Sequence, residues 1–185
     1  MKLEVIRLIT AIDTSVLLWI QNNLRCGFLS AVFVTLSRLG DAGFAYILIG
    51  IVLVCFKKTR TCGIVFLISL ALGFTLNEVI KRLVVRVRPF NGCADIITLV
   101  KPPKSFSFPS GHSASVFACA VSLYYTKRRW FVFGLIIAFL TAFSRLYVGV
   151  HYPTDVTVGI IIGTVSAIAV GNIYTRKLKK RAAVG

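Results

Sequence analysis

Long runs without a charged residue set the strongest constraint on how this chain folds. Residues 105–126 contain no Asp, Glu, Lys or Arg over 22 positions, and residues 156–175 contain none over 20. Both runs reach the roughly 20 residues that an α-helix needs to cross the hydrocarbon core of a bilayer. The composition, 57% hydrophobic and 15% charged, excludes a disordered chain and argues against a soluble domain. The sequence therefore predicts a multi-pass membrane protein.

Shorter uncharged runs complete the predicted architecture. Residues 2–25 differ from them, because Ile9 and Ile12 follow helical spacing while Asp13 interrupts the apolar face, as in a helix lying in the membrane interface. No linker divides the chain. We therefore expect one all-α domain over residues 1–185, a six-helix transmembrane bundle with an N-terminal interfacial amphipathic helix. The spans are expected near 26–40, 42–56, 61–81, 109–126, 130–146 and 154–175.

The net charge of +16 is distributed unequally between the predicted loops. In so apolar a chain this charge favours contact with anionic lipid and not with nucleic acid. One side holds Lys57, Lys58, Arg60, Lys127, Arg128, Arg129, Arg176, Lys177, Lys179, Lys180 and Arg181, and the other holds Lys81, Arg82, Arg86, Arg88, Lys101, Lys104 and Arg145. The positive-inside rule assigns the larger group and the C-terminus to the cytoplasm of a cell membrane. The smaller group, on the extracytoplasmic side, is expected to bind an anion.

Three short motifs accompany that smaller group, on the same side of the membrane in this topology. They are Lys81-x6-Arg88-Pro89, Pro109-Ser110-Gly111-His112 and Ser144-Arg145-x5-His151-x3-Asp155, and they contain both histidines of the protein. Phosphoryl transfer needs fixed cations and backbone N–H donors around the phosphate oxygens. The cations would be Lys81, Arg88 and Arg145. The backbone donors would be Ser110 and Gly111, since both lie where a helix begins.

With these three motifs the sequence resembles the type 2 phosphatidic acid phosphatase family of integral membrane lipid phosphatases. The resemblance implies that His151 attacks phosphorus and forms a phosphohistidine, that Asp155 orients His151, and that His112 protonates the leaving oxygen. His151 must then be neutral and His112 protonated at one pH, which predicts a bell-shaped pH dependence of kcat/KM. Six acidic residues offer little for a carboxylate metal site, so we expect no metal and no cofactor.

The resemblance also narrows the substrate. Compact members of the family recycle undecaprenyl diphosphate, which makes hydrolysis of this lipid the leading expectation. Phosphatidylglycerophosphate, phosphatidate and lipid A phosphate stay open, because the motifs recognise phosphate and not the lipid behind it. The expected partners are the lipid substrate and the bilayer, and the sequence leaves the oligomeric state open. The remote alternatives are a vanadium-dependent haloperoxidase, which shares the motifs in larger soluble proteins, and a non-enzymatic lipid transporter.

Some charged and polar residues also have ordinary structural explanations. Glu78 precedes Lys81 by three residues, a spacing that favours an ion pair along one helix. Ser110 is a suitable N-cap for the helix that follows it. Arg86, Lys101 and Lys104 match no motif position, and they are expected either at a second phosphate or headgroup or at anionic lipid in the interface.

Overall fold

The fold is helical throughout the part of the chain that the structure describes. The computed structural model describes residues 2–40 and 43–182. Its helices are α1 (Lys2–Leu24), α2 (Gly27–Leu39), α3 (Phe44–Cys55), α4 (Arg60–Val84), α5 (Pro89–Gly92), α6 (Gly111–Thr126), α7 (Arg128–Tyr147) and α8 (Pro153–Ala182). These residues contain no β-strand, so the predicted all-α class is confirmed.

The number of membrane spans differs from the prediction. Among the described residues, three helices are long and apolar enough to cross a membrane, namely α4 continued through α5, α7, and α8. The pair α2 and α3 passes the same test only together, with a bend of 61° at the break between them. α6 has 16 residues and is about 24 Å long, shorter than the roughly 30 Å hydrocarbon core. The predicted count of six spans is therefore not confirmed.

The bundle is built around α6, which contacts α4, α7 and α8. Ser113, Ala114 and Ala118 of this helix are completely buried. A Cβ atom on Gly163 of α8 would collide with the carbonyl oxygen of Ala114, so the two helices meet backbone to backbone. Small residues at such a contact let helices pack closely. Close packing matters in a membrane, because apolar side chains gain little when they move from lipid into a helix contact. This packing fixes the start of α8 against the start of α6.

Successive helices of the bundle run in opposite directions, which brings the three motifs to one end. α4 and α7 end there and α6 and α8 begin there, and the Ser110 N–H donates to the carbonyl oxygen of Asp155 at 3.0 Å. We call this the site end. The opposite end carries the cations of residues 57–60, 127–129 and 176–180, and Thr59, Lys127 and Arg129 line one cavity of about 320 Å³ there. We call it the basic end.

α2 contacts the site end along its whole length. At its start the N–H of Cys26 donates to the Tyr147 hydroxyl at 3.2 Å. Midway, the ring of Phe33 packs against Tyr147 and Phe143 with centroids 4.7 and 5.2 Å apart. Near its end, Ser37 contacts the side chain of Arg145. All of these partners lie in the last turns of α7, so α2 packs at the site end. The expectation that residues 26–40 form a span by themselves is not confirmed.

α1 also docks at the site end, against the loop that joins α5 to α6. The Gln21 side chain donates to the Asp95 carbonyl oxygen and accepts from the Ile97 N–H, both at 2.9 Å. Leu17 is buried in a cluster with Tyr152 and residues of this loop. The first three turns of α1 instead expose apolar side chains, among them Ile6 and Leu8.

Candidate active site

His151 lies in the short connection between α7 and α8 and is 2% exposed. Pro153 starts α8, so Asp155 lies in the first helical turn beside the imidazole. Nδ1 of His151 is 3.6 Å from Oδ2 of Asp155, and Nε2 is 3.4 Å from Nη1 of Arg88. A carboxylate beside Nδ1 favours the tautomer with its proton on Nδ1, which leaves the lone pair on Nε2.

The surroundings of His151 keep its ring neutral. Burial lowers the pKa of His151 to about 3, Arg88 and Arg145 act in the same direction, and Asp155 opposes them. A histidine in water has a pKa of about 6.5. Between pH 3 and pH 6.5 the His151 ring is therefore neutral, whereas an ordinary histidine would be mostly protonated. An aligned, unprotonated ring nitrogen is what nucleophilic attack requires.

Arg88 is held in place by the backbone around it. Its Nε donates to the Ser105 carbonyl oxygen at 2.7 Å, and its Nη1 donates to the Val150 carbonyl oxygen at 2.8 Å. The Ser105 hydroxyl accepts from Nη2 at 3.1 Å. These contacts fix a positively charged, planar group beside Nε2 of His151, and a guanidinium can bind two oxygens of one phosphate.

His112 and Arg145 meet at a backbone carbonyl of α2. Nε2 of His112 is 3.2 Å from the Ser37 carbonyl oxygen, and Nη1 of Arg145 is 3.5 Å from the same atom. Since a carbonyl oxygen only accepts, Nε2 of His112 carries a proton in this arrangement. A Cβ atom on Gly40 would lie 2.6 Å from Cδ2 of His112, so the ring rests against a position that has no side chain.

The Lys81 ammonium reaches the start of α6. It lies 3.4 Å from Oε1 of Glu78, which confirms the predicted ion pair, and 3.8 Å from the position a Cβ would take on Gly111. Ser110 caps α6 as predicted, because its hydroxyl accepts from the Ser113 N–H at 3.5 Å. Its own N–H donates to Asp155, so the expectation that this N–H faces an anion was wrong. Gly111, the first residue of α6, remains the candidate donor at the helix start.

A chain of charged groups links α1 to Asp155. Nη1 of Arg86 is 2.7 Å from Oδ1 of Asp155, and its Nη2 is 2.8 Å from Oδ2 of Asp13. The guanidinium also lies 4.0 Å above the centroid of the Tyr152 ring. The second oxygen of Asp155 accepts from the Ser107 hydroxyl and from the Tyr152 N–H. These contacts fix the carboxylate that faces His151.

This arrangement corrects the expectation for Arg86. The sequence placed it at a second phosphate, a headgroup or interfacial lipid, whereas it bridges two buried carboxylates. One signal pointed to this role, namely Asp13, an acid on an otherwise apolar helix face that must find a partner when buried. Lys101 and Lys104 are exposed in the loop before α6. The described residues bring together no group of three His, Cys, Asp or Glu side chains that could hold a metal ion.

Comparison with known proteins decides the family. Residues 63–179 match the PAP2 superfamily, and the undecaprenyl-diphosphatase of Sulfolobus acidocaldarius is 37% identical over 82% of this chain and 74% of that protein. The chain belongs to the PAP2 superfamily. It is a lipid phosphatase of that family, as its three motifs predicted.

Two other PAP2 relatives extend the comparison. The lipid A 4'-phosphatase of Bacteroides thetaiotaomicron is 36% identical over 53% of this chain and 49% of that protein. A crystal structure of a transmembrane PAP2 type phosphatidylglycerolphosphate phosphatase from Bacillus subtilis has a TM-score of 0.75 and 27% identity, and it covers 90% of this chain and 86% of that one. The bundle described above is therefore a PAP2 membrane fold.

Proposed function

We propose that this PAP2 protein hydrolyses undecaprenyl diphosphate without a metal, through a phosphohistidine on His151. The observation that carries the mechanism is a buried imidazole with Asp155 beside Nδ1 and Arg88 beside Nε2. Such a ring is neutral, oriented and placed next to a group that binds phosphate oxygens.

In the first step, Nε2 of His151 attacks the terminal phosphorus of undecaprenyl diphosphate. The bond from this phosphorus to the bridging oxygen breaks, and that oxygen leaves with undecaprenyl phosphate. His112 gives its proton to that oxygen, so the lipid product leaves neutral at this position. The phosphorylated imidazole of His151 is positively charged with its proton on Nδ1, where Asp155 stabilises it. In the second step, water attacks phosphorus, His112 takes a proton from the water, and inorganic phosphate and neutral His151 are released.

Three cations hold the phosphoryl group during both steps. Lys81, Arg88 and Arg145 are 7%, 4% and 2% exposed, so each meets the substrate in a site that largely excludes water. Charge stabilisation is strong in such a site, because the surrounding dielectric is low. The Gly111 N–H adds a donor at the start of α6, and Ser110 supports it as the helix cap.

The site end faces the extracytoplasmic side, and the C-terminus is cytoplasmic. This orientation is supported by the cations of the basic end, which the positive-inside rule assigns to the cytoplasm. We propose that α1 lies in the interface plane, with exposed Ile6 and Leu8 in lipid and buried Asp13 turned toward the site end. In this proposal residues 1–185 form one membrane-embedded domain. Its bundle helices, including α2, lie on the membrane side of α1.

The lipid is the least constrained part of the proposal. Undecaprenyl diphosphate is favoured by the relative that covers 82% of this chain. Phosphatidylglycerophosphate is the second candidate, because the Bacillus subtilis phosphatidylglycerolphosphate phosphatase shares the fold over 90% of this chain. Lipid A phosphate and phosphatidate complete the set to be tested.

Phosphate release from a panel of purified lipids tests the function. The protein in detergent with EDTA is expected to release phosphate fastest from undecaprenyl diphosphate, and His151→Ala is expected to release none. The matched control is Asp95→Asn, which changes an exposed acid at the same end of the bundle. Activity that EDTA abolishes, or that survives His151→Ala, would contradict the mechanism. Faster release from another lipid would overturn only the substrate.

A further inference from the structure

One buried amide lies beside the proposed phosphate site without a role in it. Asn77 is 0% exposed, and within the described chain neither its Oδ1 nor its Nδ2 has a hydrogen-bond partner. Buried polar side chains are almost always hydrogen-bonded, since an unpaired amide loses its contacts with water and gains nothing in return. A residue with two such atoms at the centre of a bundle therefore calls for a ligand.

The position of the amide identifies that ligand. Asn77 precedes Lys81 by four residues on α4, so the two side chains lie on one face of the helix, one turn apart. Nδ2 of Asn77 is 3.4 Å and Nζ of Lys81 is 3.8 Å from the point that a Cβ would occupy on Gly111. The amide and the ammonium therefore border the same small space, above a glycine whose missing side chain leaves that space open.

We propose that the Asn77 amide is a further phosphate-binding group, which donates from Nδ2 to an oxygen of the phosphoryl group held by Lys81 and Gly111. This inference rests on the proposed phosphatase function and adds a residue that lies outside all three motifs. An oxygen of the bound phosphoryl group would then accept from an amide that has no hydrogen-bond partner among the described residues. A neutral donor here adds a contact to a phosphate oxygen without a further buried positive charge in the site.

The test compares Asn77→Leu with wild-type protein in detergent. Leucine is similar in size and has no polar atom, so it removes the donor without a cavity. We expect the inhibition constant of inorganic phosphate to rise by about tenfold to a hundredfold, as for the loss of a hydrogen bond to a charged group. The thermal midpoint is expected to stay the same or rise, because the variant no longer buries an unpaired amide. Loss of affinity with retained stability separates a binding role from a structural one.

Ser69→Ala is the matched control. Ser69 is also 0% exposed with an unpartnered hydroxyl on α4, but it lies eight residues before Asn77, about 12 Å toward the basic end. Its removal is expected to leave the phosphate inhibition constant within twofold of wild type. Asn77→Asp is a second variant of the same shape as Asn, and its carboxylate is expected to weaken phosphate binding more than Leu does.

The outcomes separate this inference from the proposed function. If wild-type protein releases no phosphate from any lipid, the proposed phosphatase function is wrong. Phosphate binding to wild type and to Asn77→Leu can then still be compared by the rise in thermal midpoint that inorganic phosphate causes. If wild-type protein is active and both Asn77 variants bind phosphate as tightly as it does, the inference is overturned. That result would mean that the amide is satisfied by trapped water and not by substrate.

Discussion

The two ends of the bundle are both rich in cations, but the cations are exposed at one end and buried at the other. At the basic end, Lys57, Lys58 and Arg60 are exposed to the surroundings. At the site end, Arg88 and Arg145 are almost completely buried, and their donors point at carbonyl and hydroxyl oxygens. Cations exposed to water or lipid headgroups cost little, whereas buried ones must be compensated.

This difference gives the cations different roles. We expect those of the basic end to act by their number, through attraction to anionic lipid and through the orientation of the chain, so that any one of them is replaceable. Those of the site end act by position, because each is fixed beside an imidazole or a helix start. The comparison predicts that equal changes of charge have very unequal effects at the two ends.

The largest difference is expected between His151 and the basic end. His151→Ala removes the proposed nucleophile and should lower kcat by about 10³-fold or more. Replacing Lys57, Lys58 and Arg60 together by Ser should change kcat by less than about twofold, since all three are exposed at the end of the bundle opposite the site. Both are measured as phosphate release by purified protein. A comparable loss in the basic-end variant would remove the distinction between the ends.

Arg88→Lys keeps the charge and tests position. An ammonium cannot reproduce three donors aimed at Ser105, Val150 and a phosphate, so kcat/KM is expected to fall by about 10²-fold. Lys127→Arg at the basic end is the control and is expected to be silent. Full activity in Arg88→Lys would show that the site needs charge alone.

The difference between the ends was only partly predictable from sequence. The motif residues could be placed at one end of the bundle because each motif lies at a helix end, and the roles expected of them came from the resemblance to the family. The contribution of α2 could not be predicted, because Ser37 and Gly40 approach the site through packing between segments far apart in sequence. Asp13 indicated only that α1 must meet a partner, and not which one. Asn77 gave no signal, since a single amide in an apolar helix has no pattern of its own.

The span count shows the same limit. Uncharged runs located the bundle helices, since hydropathy reports which residues avoid water. They did not show that α2 packs on the last turns of α7, because a run of apolar residues fits a span and a helix docked at one end of the bundle equally well. The direction of α2 is set by Phe33 and Ser37 packing on α7, which no local pattern encodes.

Asp13→Asn tests whether α1 belongs to the site end. The change leaves Arg86 with one carboxylate and loosens Asp155, so kcat is expected to fall by about tenfold with little change in KM, as for a positioning residue. Asp95→Asn, an exposed acid on the same end, is the control. Equal kcat in the Asp13 variant and wild type would mean that α1 packs on the site without supporting it.

The smallest expected effect concerns acid pH. A neutral His151 is needed for attack, and its pKa of about 3 keeps it neutral as pH falls from 7 to 5. After correction for ionisation of the lipid phosphate, kcat/KM should change less than about threefold over this range, whereas a histidine with an ordinary pKa would lose about 25-fold. The alkaline limb of the expected bell-shaped profile should be absent from His112→Gln. An acid loss of about 25-fold would show that His151 titrates normally.

The most direct test of the account is to trap the phosphoenzyme. Protein mixed with substrate labelled in the scissile phosphate and quenched within milliseconds should carry an alkali-stable, acid-labile phosphate on His151. The label should be absent from His151→Ala and present in the Lys57, Lys58 and Arg60 variant. Turnover of labelled lipid with no phosphohistidine, or with the label on another residue, would contradict the account.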